Sequence, residues 1–349
     1  MKIASFIAVV VLNVASISVS AEPGAPQPDA KWLAVWSDSA KDAAIRRTMS
    51  GVHKECMSAD LFYLSKDPLP FRKLNLTLPG HEKCTLYEAD DFLAKQLESA
   101  GYKVDRDGVA VRAFRRDTSK PISAQYSAPM PEDPTYTAYN LCAEKRGEKH
   151  PDEIIVLVAH KDSQSWIDSP GANDNAIGTV GVVEIARVLG NYKSQRTIRF
   201  LLCNEEHWPW TSATAANKAK ERGDKIIAVF NTDGIGVKSP ADRTAGKKTN
   251  VTAYSLPEGL KLAELMSGVN SHFQVGLEQR SVQRTFPNDD DGSFVKAGFP
   301  AAVINIGSWP YADPNYHTPG DVPELCDVEN AAMTARAIIA AVMTLDQAE

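Results

Sequence analysis

Seven consecutive residues, Ile154 to His160 (IIVLVAH), are apolar up to a closing histidine. Side chains on a strand point alternately to opposite faces, so a strand apolar at every position must be covered on both. The chain that follows carries material for that cover. Helix-period patterns at residues 176–189 and 212–222 alternate with apolar strands at 197–203 and 226–231. A further helix (258–267), strand (301–306) and helix (328–345) complete the series. Upstream, a helical pattern at 39–57 passes into a loop holding Pro68, Pro70, Pro79 and Gly80, and a helix at 86–100 stops at Gly101. Strands are expected at 103–112 and 135–142. The expected fold is α/β: a single domain at 84–349 with a central mixed, largely parallel β-sheet flanked by helices, preceded by a helix-and-loop extension at 22–83.

The N-terminus has a different character. Lys2, an apolar stretch at 3–15 and the small residues Val19-Ser20-Ala21 read as a cleaved export signal over 1–21, which predicts a secreted or periplasmic mature chain starting at Glu22. The Pro-, Ala- and Gly-rich residues 22–33 then read as a flexible lead-in. The apolar stretch falls short of the roughly 20 residues a bilayer needs, and no later segment reads as a span, so no stable membrane insertion is expected. A net charge of -6 gives no reason to expect nucleic acid or an anionic membrane surface as partner. Small-molecule or peptide chemistry fits better. None of the five cysteines forms a CxxC pair; Cys56 and Cys84, both in the loop-rich early region, are the expected disulfide, and Cys203 reads as a buried thiol. No pattern sets an oligomeric state.

In open α/β sheets ligands gather beyond the carboxyl ends of the strands. His160, the adjacent Glu205 and Glu206, and Asp233 all fall there. Imidazole and carboxylate together are donors that zinc accepts, with cobalt or manganese admitted by ligand type alone, and a two-metal site needs a carboxylate able to bridge ions about 3.5–4 Å apart. Asp174, in a turn opened by Pro170 and Gly171 and just ahead of a helix start, suits that role. Asp162 lies two residues from His160, on the same side of the strand, where it can fix the imidazole tautomer. Glu205 and Glu206 leave an extended strand in different directions, so one can bind metal while the other takes a proton. Singly, each of these residues has a plainer reading as a cap, a turn former or a core histidine.

Taken in order, the segments HKD, PGANDNAIGT, NEE, NTDGIG and YHTPGD resemble the di-zinc aminopeptidases of metallopeptidase family 28, over about Cys84 to Met343. The resemblance implies a zinc-exopeptidase fold, a peptide substrate and two Zn2+ per chain. It implies that one ion is held by His160 and Asp233 and the other by Glu206 and His317, with Asp174 bridging and Glu205 as general base. It also implies a cis peptide bond after Asp174. The remaining histidines match no ligand position, His207 being the one beside the site.

Three features depart from the family pattern. A glycine-containing turn usually follows the paired glutamates, whereas His207-Trp208-Pro209-Trp210 stands here; Asp289-Asp290-Asp291 replaces Ser-Asp-His; and Phe286 falls where some members carry an oxyanion-binding Tyr, leaving Tyr311 or Tyr316 to supply that donor. Two rival readings share the fold. A glutaminyl-cyclase-like acyltransferase would typically bind one zinc, and a non-catalytic binding ectodomain would have lost ligands that this chain retains.

Overall fold

The computed structural model describes residues 28–117, 119–120 and 126–349, so the export-signal segment 1–21 lies outside the described residues. Four helices come first: α1 (Ala30–Ser37), α2 (Ser39–Met49), α3 (Lys54–Ser65) and α4 (Thr85–Ser99). Strands β1 (Val104–Ala113), β2 (Arg115–Arg116), β3 (Tyr126–Ser127), β4 (Tyr136–Lys145) and β5 (His150–His160) follow. After a wide turn at Ala172–Ala176 come α5 (Ile177–Leu189), β6 (Arg196–Cys203), β7 (His207–Trp208), α6 (Thr211–Arg222) and β8 (Lys225–Thr232). The last third holds α7 (Pro240–Thr244), β9 (Thr249–Tyr254), α8 (Pro257–His272), β10 (Glu278–Gln283), α9 (Asp289–Ala297), β11 (Ala302–Ile306) and α10 (Val328–Gln347).

Nine strands form one mixed sheet in the order β10-β9-β11-β8-β5-β6-β4-β1-β7. Its centre, β11-β8-β5-β6, is parallel, and β9 and β4 join it antiparallel on either side. β5 is buried from Ile154 to His160. On one face α5 and α10 cover it, and on the other Phe294 and Ala297 of α9 and Ala216 of α6 pack on Val156, Val158 and Val229. The parallel centre aims four strand ends at one edge of the domain, and the site is built there.

Several expectations change on contact with the structure. The helix expected across 39–57 is two helices: α2 ends at Met49, and the chain turns so that the His53 amide donates to Glu184 on α5 at 2.7 Å. The expected lead-in is already helical at Ala30, because Asp29 caps α1 and Trp32, Val35 and Trp36 are buried. The helices of this early region pack into the same hydrophobic cluster as the sheet. β9, β10 and α9 had no expectation: β9 (TNVTAY) is buried but half polar, and β10 (EQRSVQ) is a polar edge strand. The Cys56–Cys84 disulfide does not form, and all five cysteines are free thiols. Cys56 is exposed on α3, while Cys84 packs with Leu74, Leu86 and Val111. Finally, α10 is by length and composition apolar enough to cross a membrane, contrary to the reading of the sequence; it is a largely buried core helix.

Candidate metal centre

Two ligand groups share one carboxylate. His160, Asp174 and Asp233 form the first and Asp174, Glu206 and His317 the second, the ligand atoms of each group lying within 4.8 Å of one another. Asp174 reaches His160 Nε2 with Oδ1 at 3.2 Å and His317 Nε2 with Oδ2 at 2.9 Å, the arrangement of a bridging carboxylate. Asp233 lies 3.6 Å from His160 Nε2, and Glu206 lies 3.5 Å from His317 Nε2. His160 ends β5, Glu206 follows β6 and Asp233 follows β8, so three central strands deliver three ligands. The Asp174-Asn175 peptide is cis.

Asp162 stands behind these ligands and organises them. Its Oδ1 lies 3.3 Å from His160 Nδ1 and accepts the Glu205 amide at 2.9 Å; its Oδ2 accepts the Glu206 amide at 2.9 Å and meets His207 Nδ1 at 2.8 Å. His207 Nε2 in turn accepts the Leu74 amide, which assigns its proton to Nδ1 and the bond to Asp162. Asp321, the last residue of YHTPGD, accepts the amides of Asn173 and Asp174 at 2.8 and 3.0 Å and fixes the bridging loop.

Arg72 is the other brace, and it comes from the early region. The fully buried guanidinium donates to the carbonyls of Lys161, Pro170 and Gly171 at 2.7 Å each and to that of Leu64 at 2.5 Å. It thereby ties the loop after His160 to the loop before Asp174. Gly171 has φ +60, and a Cβ there would sit 2.9 Å from Arg72 Nη2 and 2.6 Å from the Asp174 carbonyl oxygen, so the approach requires glycine.

The electrostatics of the cluster favour a cation. Burial pushes the Glu205 carboxyl well above its ordinary range, and the nearby Asp290 and Asp289 push it further. Burial and Asp174 raise Glu206 to about 7. Burial would lower the imidazole of His317, yet Glu206 and Asp174 raise it to about 10. Asp162 behaves oppositely: its hydrogen bonds from His160 and His207 outweigh burial and keep it ionised. His317 Nε2 and Glu205 Oε2 are buried without a hydrogen bond of sound geometry. An imidazole nitrogen set 2.9 and 3.5 Å from two carboxylates without a well-aligned hydrogen bond to either fits a zinc ligand.

Residues 140–342 match Peptidase family M28. The chain belongs to that family. Among curated relatives, the aminopeptidase YwaD of Bacillus subtilis is 28% identical over 277 residues, 77% of this chain and 58% of the relative. Leucine aminopeptidase 2 of Trichophyton rubrum is 28% identical over 176 residues, 49% of this chain and 34% of the relative. The chain spans between 32% and 58% of the length of the first curated relatives it matches. The fold is that of an aminopeptidase from Aneurinibacillus (TM-score 0.63, 16% identity, 85% of this chain and 95% of that one). A glutaminyl cyclase from Porphyromonas gingivalis shares it as well (TM-score 0.64, 15% identity, 84% and 98%).

Every ligand position read from this family member's sequence converges on the one cluster, and Asp162 sits behind it. Arg72, His207 and Asp321 were missed as parts of the site. His207 and Asp321 border the motifs, but Arg72 lies far upstream and acts on main-chain carbonyls, which leave no side-chain pattern to read. Asp290 accepts from the buried Cys203 thiol at 3.0 Å and lies beside Glu205. At the Asp233 end a cavity of about 520 Å3 opens, lined by Phe286, Ile304, Ile306, Trp309, Tyr311 and Tyr316 among others.

Proposed function

We propose that the chain is an exported zinc-dependent exopeptidase that removes N-terminal amino acids from peptides. The observation that carries the reading is the pair of ligand groups joined through Asp174, with the unpartnered Glu205 Oε2 beside them. His160 and Asp233 would hold one zinc ion, Glu206 and His317 the other, with Asp174 shared. When bound, two such ions supply a water of lowered pKa and stabilise negative charge on the carbonyl oxygen.

The side chains divide the remaining work. Glu205 takes the proton of the attacking water at Oε2 as the oxygen–carbon bond forms, and returns it to the leaving nitrogen as the carbon–nitrogen bond breaks. Asp162 holds the amides of both glutamates, so acceptor and ligand keep their separate directions. Phe286, 64% exposed, has no hydroxyl to offer an oxyanion. Tyr311 accepts from Asn173 Nδ2 at 2.8 Å, which leaves its own O–H to donate toward the cluster. The apolar cavity at the Asp233 end suits a large apolar first side chain.

Digestion of a mixed peptide library by the zinc-loaded chain, with products read by mass, tests the reading. Stepwise loss of N-terminal residues is expected, with two zinc ions per chain. Trimming from the carboxyl end would overturn the direction of attack. The structural likeness to a glutaminyl cyclase favours a second reading, in which the same assay would yield cyclised N-terminal glutamine and one zinc per chain. Export rests on the sequence of residues 1–21, and a mature chain beginning at Glu22 is its test.

A further inference from the structure

The paired glutamates run on into His207-Trp208, which form β7 and pair with the end of β1: Ala113 faces His207 and Arg112 faces Trp208. Side chains alternate along a strand, so within β7 His207 and Trp208 point to opposite sides. His207 is accordingly buried against Asp162, whereas Trp208 is 46% exposed on the other side. Phe114, the residue after β1, brings its ring to 6.2 Å from Trp208 and to 4.4 Å from Trp166, edge to face. Trp166 stands 5.5 Å from the ring of His317, also edge to face. The Phe114 amide donates to Ser165 Oγ at 2.9 Å, which fixes the two loops relative to each other. Three rings therefore run in an arc from solvent to a candidate metal ligand.

This arc and the 520 Å3 cavity flank His317: Trp166 of the arc meets its ring edge to face at 5.5 Å, and Tyr316, which lines the cavity, stacks on it at 3.7 Å. From there the cavity extends to Asp233 at the other end of the ligand set, whereas the arc leads from His317 out to Trp208 at the surface. A peptide whose first side chain fills the cavity carries its second residue past His317, where the arc begins. We propose that Phe114, Trp166 and Trp208 form a shelf for the side chain that follows the scissile bond, selecting aromatic or branched apolar residues there. The proposal rests on the exopeptidase reading and adds a second specificity site to it. Ring faces and edges with exposed apolar area recognise such a side chain and gain nothing from glycine.

The test compares Leu-Phe-Gly with Leu-Gly-Gly on the zinc-loaded chain. The expected kcat/KM favours Phe over Gly at the second position by about tenfold or more, chiefly through KM. Trp208→Ala should bring that ratio to within about twofold, and Phe114→Leu, which keeps the packing volume, should reduce it in the same direction. Equal rates in the parent chain, a preference that survives both substitutions, or a loss equal for both peptides with a lowered melting temperature would each overturn the shelf. Cleavage of both peptides without preference removes the shelf alone. Cleavage of neither removes the exopeptidase reading with it.

Discussion

Two groups of buried charge lie side by side at the sheet edge and are built on opposite terms. In one, Lys161 meets Asp90 and Asn204 at 2.7 Å each, all inside the domain, and Arg72 gives four hydrogen bonds to main-chain carbonyls. In the other, Asp174, Glu205, Glu206, Asp233 and Asp290 crowd around His160 and His317, and burial together with mutual repulsion raises the pKa of four of the five carboxylates. Asp174 alone is held down, because the imidazoles of His160 and His317 set against its two oxygens outweigh its burial. The first group carries its own cations, Lys161 beside Asp90 and Arg72 on the carbonyls, although burial raises the Asp90 pKa there too. The second needs positive charge from outside the chain, and the contrast separates a structural ion pair from a binding centre without reference to any motif.

The sharpest way to break this comparison is at the adjacent glutamates. Glu205→Gln should cost roughly 10²- to 10⁴-fold in turnover with both metals retained. Glu206→Gln should lose metal. Zinc content and turnover measured on both variants decide it, and full activity in Glu205→Gln would withdraw the proton-transfer role.

The self-contained group predicts a loss of another kind. Asp90→Leu leaves Lys161 buried without its anion and should cost about 3–5 kcal/mol by denaturant unfolding, with no recovery on adding zinc. Pairing it with Lys161→Met should regain most of that loss. Rescue of Asp90→Leu by zinc would mean that the two groups are one.

Between them sits Asp162. Asp162→Ala should weaken zinc affinity by roughly 10- to 100-fold in a chelator competition while the chain stays folded, because the residue orients ligands without being one. Unchanged affinity would assign its four contacts to folding alone.

The smallest effect concerns Asp291, whose pairing with Arg284 does not offset burial, so that its pKa rises from the ordinary 3.8 to about 7. The folded chain then holds a proton that the unfolded chain releases, and stability from this group, full below about 3.8, is lost as pH rises toward about 7. Melting temperatures measured across that window at saturating zinc should decline less steeply in Asp291→Asn. An identical slope would show that Asp291 ionises as an exposed carboxyl does.

Of the candidate ligands, His160, Glu206 and Asp233 were legible in the sequence because each closes or follows a strand whose apolar run is itself conspicuous, as His160 does after IIVLVA; Asp174 and His317 sit in loops and were read from their motifs. The same logic located β5, β6 and β8 to within a few residues. It failed for β10, a polar edge strand with no buried face to impose alternation, and for α9, which begins with three aspartates held by burial and by Arg284. It placed α10 to within two residues, and the helix's apolar composition serves the core of this fold. The disulfide expectation failed because proximity in sequence region says nothing of direction: Cys56 points to solvent and Cys84 into a cluster of its own.

The place of β11 carries a consequence for how the chain reaches this state. It is among the last strands to be made, yet it lies between β8 and β9, parallel to one and antiparallel to the other. Until residue 306 is available, β9 and β10 can pair with each other but have no seam to the strands that carry His160 and Asp233. The partner elements are separated by long stretches of sequence, so closure comes late and slowly. His317 lies only a few residues beyond that seam. The centre can therefore be completed only after the sheet is stitched shut, and a nascent or truncated chain has the acidic half of the cluster without the residue that closes it.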